Sequence, residues 1–207
     1  DRVDFSLKRI AGAVLEVCRD RCALGYTIAS GIVFGGFLGY LNSAQQIFQL
    51  QYALGAQFPL YFAVLALSIG CASFANSMLV MRYGMRRLSW LALVGSFVVS
   101  AVYYVYATDA DGMPALWSLM SWGMFTFFCL GLVFGNFNAM AIESLGHIAG
   151  VAAAVIGSLS TMISMLLGLL IGQAYNGTVI PLVGGFALLS LFSLIAMAIT
   201  ERGISES

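Results

Sequence analysis

The chain is poor in charge. Only 9% of its 207 residues are Asp, Glu, Lys or Arg, while 61% are hydrophobic. Soluble domains carry about 25% charged and roughly 45–50% apolar residues. A soluble protein of this size would lack the ionic surface that keeps it dissolved, so the composition points to a membrane. Nine basic residues balance nine acidic ones, which leaves no net field to attract nucleic acid. Histidine occurs once, as His147, and the four cysteines (Cys18, Cys22, Cys71, Cys129) show no ligand spacing. No zinc centre, other metal site or cofactor is therefore expected. Proline occurs three times. Pro59, Pro114 and Pro181 each fall at or near the start of an apolar run, where a missing N–H costs least. Bending inside the runs must then come from glycine.

What is present is six apolar runs, at about 23–42, 59–80, 88–107, 115–136, 148–172 and 179–199. Each is long enough, at 1.5 Å per residue, to cross a hydrocarbon core of about 30 Å. None contains Asp, Glu, Lys or Arg, each of which would cost roughly 2.5–3.5 kcal/mol at a span centre. The expected fold is an all-α membrane bundle over residues 22–201. Residues 1–21 mix charge with apolar positions at helical spacing (Phe5, Leu7, Ile10, Val14, Leu15, Val17, Cys18). They read as an amphipathic linker helix lying on the membrane surface. Residues 202–207 read as a tail. With the N-terminus inside, all nine basic residues are cytoplasmic and the outer loop at 108–114 holds Asp109 and Asp111. Both termini are therefore expected in the cytoplasm. The polar start shows no signal peptide, and Asp1 in place of methionine is compatible with a fragment.

Glycine is abundant and patterned. Gly31, Gly35 and Gly39 repeat at four-residue spacing, as do Gly131 with Gly135 and Gly168 with Gly172. Such rows let helix backbones approach closely in lipid, so these seven are expected to pack helices. The first row continues through Thr27, Asn42 and Gln46; the fifth run offers Gly157, Thr161 and Ser164; the second offers Gly70, Ser73 and Ser77. Weakly polar faces at membrane depth look toward other helices or a wet cavity. A substrate path is expected to draw on Thr27, Tyr40, Asn42, Gln46, Thr126, Thr161 and Ser164. Phe34, Phe37, Trp122 and Phe125 are aromatics able to stack a ligand.

Between the second and third runs lies Asn76-Ser-Met-Leu-Val-Met-Arg-Tyr-Gly-Met-Arg-Arg87, with Arg82, Arg86 and Arg87 around Gly84. Its second half resembles the loop motif that major facilitator transporters carry between helices 2 and 3 and again between 8 and 9. Met81 stands where that pattern has an acid, which fits the weaker second copy. Gly135-Asn-Phe-Asn-Ala-Met-Ala and His147-Ile-Ala-Gly-Val-Ala-Ala-Ala-Val-Ile-Gly157 are similar to the helix 10–11 junction of the bicyclomycin/chloramphenicol-resistance branch of drug:proton antiporters. Leu24-Gly-Tyr-Thr-Ile-Ala-Ser-Gly31 resembles the start of helix 7 in that branch.

The resemblance implies the C-terminal half of a twelve-helix transporter in a bacterial inner membrane. Its two triplets of spans have opposite topology, a 3+3 inverted arrangement. The implied partners are a missing N-terminal six-helix half, membrane lipid and a small hydrophobic or amphipathic substrate. The implied activity is efflux coupled to proton entry. Proton coupling needs a titratable group in the membrane, and the spans hold none. Glu143 and His147, four apart and expected on one helical face, read as solvated rim residues, which places the coupling carboxylate in the missing half. Rival classes fail on residues: no histidine lies in a span, as an intramembrane protease requires, and no Asn-Pro pair occurs, as a water/glycerol channel requires. No catalytic residues are expected. A half-size protein acting as a homodimer or as a non-transporting membrane partner remains the alternative.

Overall fold

A computed structural model describes residues 7–205, with side chains described for residues 11–203. Leu7–Arg19 forms α1, followed by α2 (Arg21–Gln45), α3 (Phe58–Tyr83), α4 (Met85–Asp109), α5 (Leu116–Glu143), α6 (Ala149–Gln173) and α7 (Ile180–Ser205). The last six are long and apolar enough to cross a membrane. Of the expected surface stripe, Phe5 and the side chains of Leu7 and Ile10 lie outside the described residues. Ala13 and Val17 are buried, while Val14 and Leu15 are exposed.

The helices outrun the apolar runs. α2 continues past residue 42 and passes at Gln46–Gln51 into a π-helical turn. α7 extends through the stretch expected as tail, as far as Ser205. Hydropathy marks how long a helix stays in hydrocarbon. It does not mark where backbone hydrogen bonding ends, and neither Leu41–Gln51 nor Thr200–Ser205 contains a proline. Proline behaves as its missing donor requires: Pro59 occupies the first turn of α3, and Pro181 is the second residue of α7.

Packing follows a simple rule. α2 packs on α5, α6 and α7; α5 packs on α2, α3 and α4; α4 packs on α7. Exchanging α2 with α5, α3 with α6 and α4 with α7 leaves this pattern unchanged. The two triplets are thus related by pseudo-symmetry, as an inverted repeat demands. α2, α5, α4 and α7 form a closed core of four helices. α6 is a wing on α2, and α3 is a wing on α5. The core divides into a layer around Tyr26, Leu93, Val133, Phe137 and Met197 and a layer around Tyr40, Trp122, Phe127, Val183 and Phe186.

The α2–α6 contact uses the glycine rows. A β-carbon on Gly31 or Gly35 would stand 2.8 Å from Cβ of Ile163 or Leu167, and one on Gly39 would stand 2.7 Å from Ile171 Cγ2. From the other side, a β-carbon on Gly168 would stand 2.9 Å from the Gly39 backbone nitrogen, and one on Gly172 would stand 2.7 Å from Asn42 Cβ. Serine hydroxyls reinforce the contact. Ser160 donates to the Thr27 carbonyl at 3.1 Å and Ser164 to that of Gly31 at 2.9 Å, while Ser193 of α7 donates to Ala29 at 2.9 Å. The symmetry mate, α5 on α3, sets Gly123 against Leu65 and Gly131 against Ala72, at 2.9 and 2.7 Å for an added β-carbon. Gly135, expected to pack with Gly131, has nothing within 4 Å.

Gly168→Ala is expected to destabilise the bundle by about 1–3 kcal/mol, the usual range for overpacking. Gly150→Ala, with nothing within 4 Å, is expected to be neutral. Thermal unfolding of the purified variants in detergent measures both, and equal melting temperatures would contradict the close contact.

Candidate functional site

α4 and α7 cover one side of the four-helix core, here called the back. The opposite side, the front, is floored by α2 and α5 and flanked by the wings. The wings are the least buried spans: 17% of the most apolar stretch of α3 and 28% of that of α6 is buried, against 56% for α2 and α5. Among the described residues nothing covers the front.

The floor is aromatic. Phe34 of α2 stacks on Phe134 of α5 with ring centroids 4.5 Å apart and lies tilted against Phe37 at 5.1 Å. Phe37 meets Phe127 edge-on at 5.8 Å, and Tyr40 stacks on Phe62 of α3 at 5.7 Å. Phe134 is 38% exposed. Because the back of the α2–α5 seam is filled by α4 and α7, that exposure opens to the front. A surface of ring faces at membrane depth can hold a flat or apolar molecule through dispersion and stacking.

The wings carry small residues that, among the described residues, no other helix meets. On α3 these are Gly70, Ser73 and Ser77, all exposed. On α6, Ala153, Ala154, Gly157, Ser158 and Thr161 line an open groove of about 660 Å³ with Met162, Met165 and Leu166. The small row of the fifth run is therefore split. Ser164, Gly168 and Gly172 meet α2, whereas Gly157 and Thr161 turn away from it.

Other expected path residues are distributed differently. Thr27 and Thr126 are fully buried and donate to carbonyls of their own helices, Thr27 to Ala23 at 2.6 Å and Thr126 to Trp122 at 2.9 Å. Ser164 is consumed by the α2–α6 contact. Tyr40 is 3% exposed, and its hydroxyl has no partner. Asn42 is exposed beside Gly172. Gln46 sits in the π-helical turn, where its backbone carbonyl accepts from Tyr175 Oη at 3.3 Å. The structure thus brings Tyr40 near the aromatic floor and leaves Thr161 in the α6 groove. Thr27, Thr126 and Ser164 lie inside the packed core. Trp122 is also internal: it stacks on Tyr103 at 5.6 Å and donates to Ser100 at 3.1 Å. Phe125 lies beside Gly95 of α4.

A polar pair that periodicity did not single out joins α3 to α5. Asn76 Nδ2 donates to Asn136 Oδ1 at 2.9 Å, with Asn136 2% exposed. The remaining amide atoms, Asn76 Oδ1 and Asn136 Nδ2, are buried without partners. An amide at position 136 of an otherwise apolar run was the available signal. Its partner, 60 residues earlier, could not be read from the sequence.

Among the described residues, the charged side chains of the six membrane-capable helices sit near helix ends. Glu143 ends α5, and Ser144 caps it, so His147 falls in a separate 3-10 turn (Gly146–Ile148). The two do not share a helical face, because Gly146 and the turn around it intervene. His147 Nε2 instead pairs with Glu16 Oε1 of α1 at 2.6 Å. That exposed pair contributes no more than about 1 kcal/mol. Glu201, near the end of α7, accepts from Tyr26 Oη at 3.3 Å. At the far end, Gln51 Nε2 and the Val179 amide both donate to the Gly112 carbonyl, at 2.8 and 3.1 Å, and Tyr52 Oη donates to Pro114 at 2.6 Å. Burial pushes the Tyr52 phenol up from its ordinary value. Among the described residues no cluster of His, Cys, Asp or Glu could hold a metal ion.

The chain is 25% identical over 217 aligned positions to a bicyclomycin resistance protein homologue of Haemophilus influenzae, covering 100% of this chain and 52% of the relative. It is 23% identical over 175 positions to an uncharacterised MFS-type transporter of Bacillus subtilis, covering 83% of this chain and 42% of the relative. The chain thus spans about half the length of the curated relatives it matches. No family model and no solved structure matches it.

Asn76→Ala is expected to destabilise the α3–α5 contact by leaving the Asn136 amide buried and unpaired. A double-mutant cycle with Asn136→Ala, read by thermal unfolding, should give a coupling of about 0.6 kcal/mol, with about 1.7 as the upper bound for such bonds in membranes. A coupling of zero would show that the pair is incidental.

Proposed function

We propose that this chain, similar to major facilitator transporters along its length, is the C-terminal six-helix half of such a transporter. The whole protein exports small apolar or amphipathic compounds by alternating access. The observation that carries the reading is the uncovered front, an aromatic floor between two wings, in a chain spanning half of its relatives. A second six-helix half placed there would meet the small-residue rows on α3 and α6, which permit close backbone approach. It would also enclose the floor as a central site, as in proteins built from two such bundles.

The substrate would lie against Phe34, Phe37 and Phe134, with Thr161 and Asn42 as nearby polar groups. Proton entry is the proposed drive. The membrane-depth stretches of the six spans contain no Asp, Glu or His, so the coupling carboxylate belongs to the other half. The termini of this half face the cytoplasm of a bacterial inner membrane, because that side then holds all nine basic residues.

The full-length protein, reconstituted in liposomes, tests this. An imposed proton gradient should drive accumulation of a fluorescent lipophilic compound against its own gradient. Phe34→Ala or Phe134→Ala should raise KM about two- to ten-fold, the equivalent of one lost aromatic contact, and Glu143→Gln should retain coupling. Gradient-independent behaviour, or wild-type KM in both aromatic variants, would refute the reading.

A further inference from the structure

The α3–α5 seam is tight along its outer part and slack at its inner end. In the outer part, added β-carbons on Gly123 and Gly131 would stand 2.9 Å from Leu65 Cδ2 and 2.7 Å from Ala72 Cβ. One turn further in, Gly135 is exposed and has nothing within 4 Å. Beyond Ala72, α3 carries only exposed or partly buried side chains, of which Leu79 and Val80 pack on the inner layer of the core. The polar link at this level is the hydrogen bond from Asn76 Nδ2 to Asn136 Oδ1. Asn76 stands two turns before the end of α3 at Tyr83, about 10 Å at 1.5 Å per residue. The pair therefore lies within the apolar run.

The pair is half satisfied. Two facing amides can exchange two hydrogen bonds, and this pair makes one. Asn76 Oδ1 and Asn136 Nδ2 are buried without partners, and no solvent reaches them. Among the described residues, the other buried side-chain atoms without a partner are of other kinds. They are the hydroxyls of Ser30, Tyr40 and Ser89, and the amide oxygens of Gln46 and Gln51 near the outer loops. A hydroxyl rotates to suit its surroundings. An unmet amide N–H and C=O disfavour the state that buries them, most of all in hydrocarbon. Any state that wets both atoms gains what this one forgoes. The means of reaching such a state is built in. α3 packs on α5 and on little else. It ends at Gly84, whose φ of +77° and open surroundings suit a joint.

We propose that the Asn76–Asn136 pair is the latch of an inner gate. In the state seen here it holds the inner third of α3 against α5. When the binding site turns toward the cytoplasm, the latch parts. The inner third of α3 swings out about the Gly131–Ala72 contact, and water meets both amides. One hydrogen bond holds the latch and two unmet groups oppose it, so the balance stays within reach of a bound substrate. The role in transport rests on the exporter reading above. The swing of α3 does not, and it is measured separately.

Hydrogen–deuterium exchange of the full-length protein in nanodiscs, at one pH, reads the swing across residues 73–80. Asn76→Leu with Asn136→Leu replaces both amides by apolar side chains of similar size and removes the gain on wetting. It should slow exchange there about ten-fold, the scale of one unmet buried amide, without lowering the melting temperature. Proton-driven uptake in liposomes should turn over about ten-fold more slowly at unchanged KM. Asn136→Asp adds a charge that water favours. It should speed exchange across 73–80 by about the same factor, and it decides alone if the leucine pair fails to fold. A purely structural pair would give a less stable leucine variant with faster exchange. That result, exchange that neither substitution changes, or slowed exchange with undiminished turnover would overturn the proposal. Slowed exchange in a protein whose wild type transports nothing would uphold the swing of α3 and refute the exporter reading.

Discussion

The close approach of α2 to α6 is the contact on which the rest of the bundle depends. In lipid, burial of apolar side chains does not drive helices together, because the acyl chains are as apolar as leucine. Association must come from van der Waals contact and interhelical hydrogen bonds. Gly31, Gly35 and Gly39 admit Ile163, Leu167 and Ile171 to the α2 surface, and Gly168 admits Leu38 in return. The short distance brings Ser160 and Ser164 within reach of α2 carbonyls. With α6 seated, the opposite edge of α2 is free for α5 and α7. The same device, with Gly123 and Gly131, seats α3 on α5. Two equivalent seams thus set the floor and both wings, and they are the physical content of the pseudo-symmetry.

That arrangement also sorts the chemistry. Many polar groups inside the core are hydroxyls that bond to backbone carbonyls or to one another, as Ser96 does with Ser190 at 2.9 Å, and the buried Asn136 amide pairs with Asn76. Charges are confined to helix ends, where water and headgroups solvate them. The front is left with ring faces and small residues, suited to apolar ligands and to a second bundle. The back is left with apolar surface ending in a basic rim.

Much of the fold was legible because membrane spans announce themselves through the absence of charge. All six runs lie in helices, and the glycines of the rows, Gly135 apart, lie against side chains or backbone of a neighbouring helix. The site was less legible. Helical spacing identifies a face, but it does not say whether that face meets a helix or a cavity. Thr27, Thr126 and Ser164 share the spacing of path residues, yet each finds a backbone carbonyl, a partner the sequence cannot reveal. Glu143 and His147 looked like one face because spacing of four assumes an unbroken helix. Asn76 and Asn136 were missed because their pairing depends on the α3–α5 seam. Phe134 was missed because one aromatic among fifteen phenylalanines carries no signal until Phe34 stacks on it.

The most direct test of the account is water access to the front of the full-length protein. In a version in which Cys18, Cys22, Cys71 and Cys129 are replaced, single cysteines would be placed on the floor (Phe34→Cys, Phe134→Cys) and on the back, at the exposed Val102 of α4 and Leu188 of α7 (Val102→Cys, Leu188→Cys). The account expects a water-soluble maleimide to label the floor positions, to a degree that changes when substrate is added, and to leave the back positions unmodified. Labelling of the back with the floor protected in every condition would mean that the front is packed against lipid and is not the wall of a transport cavity.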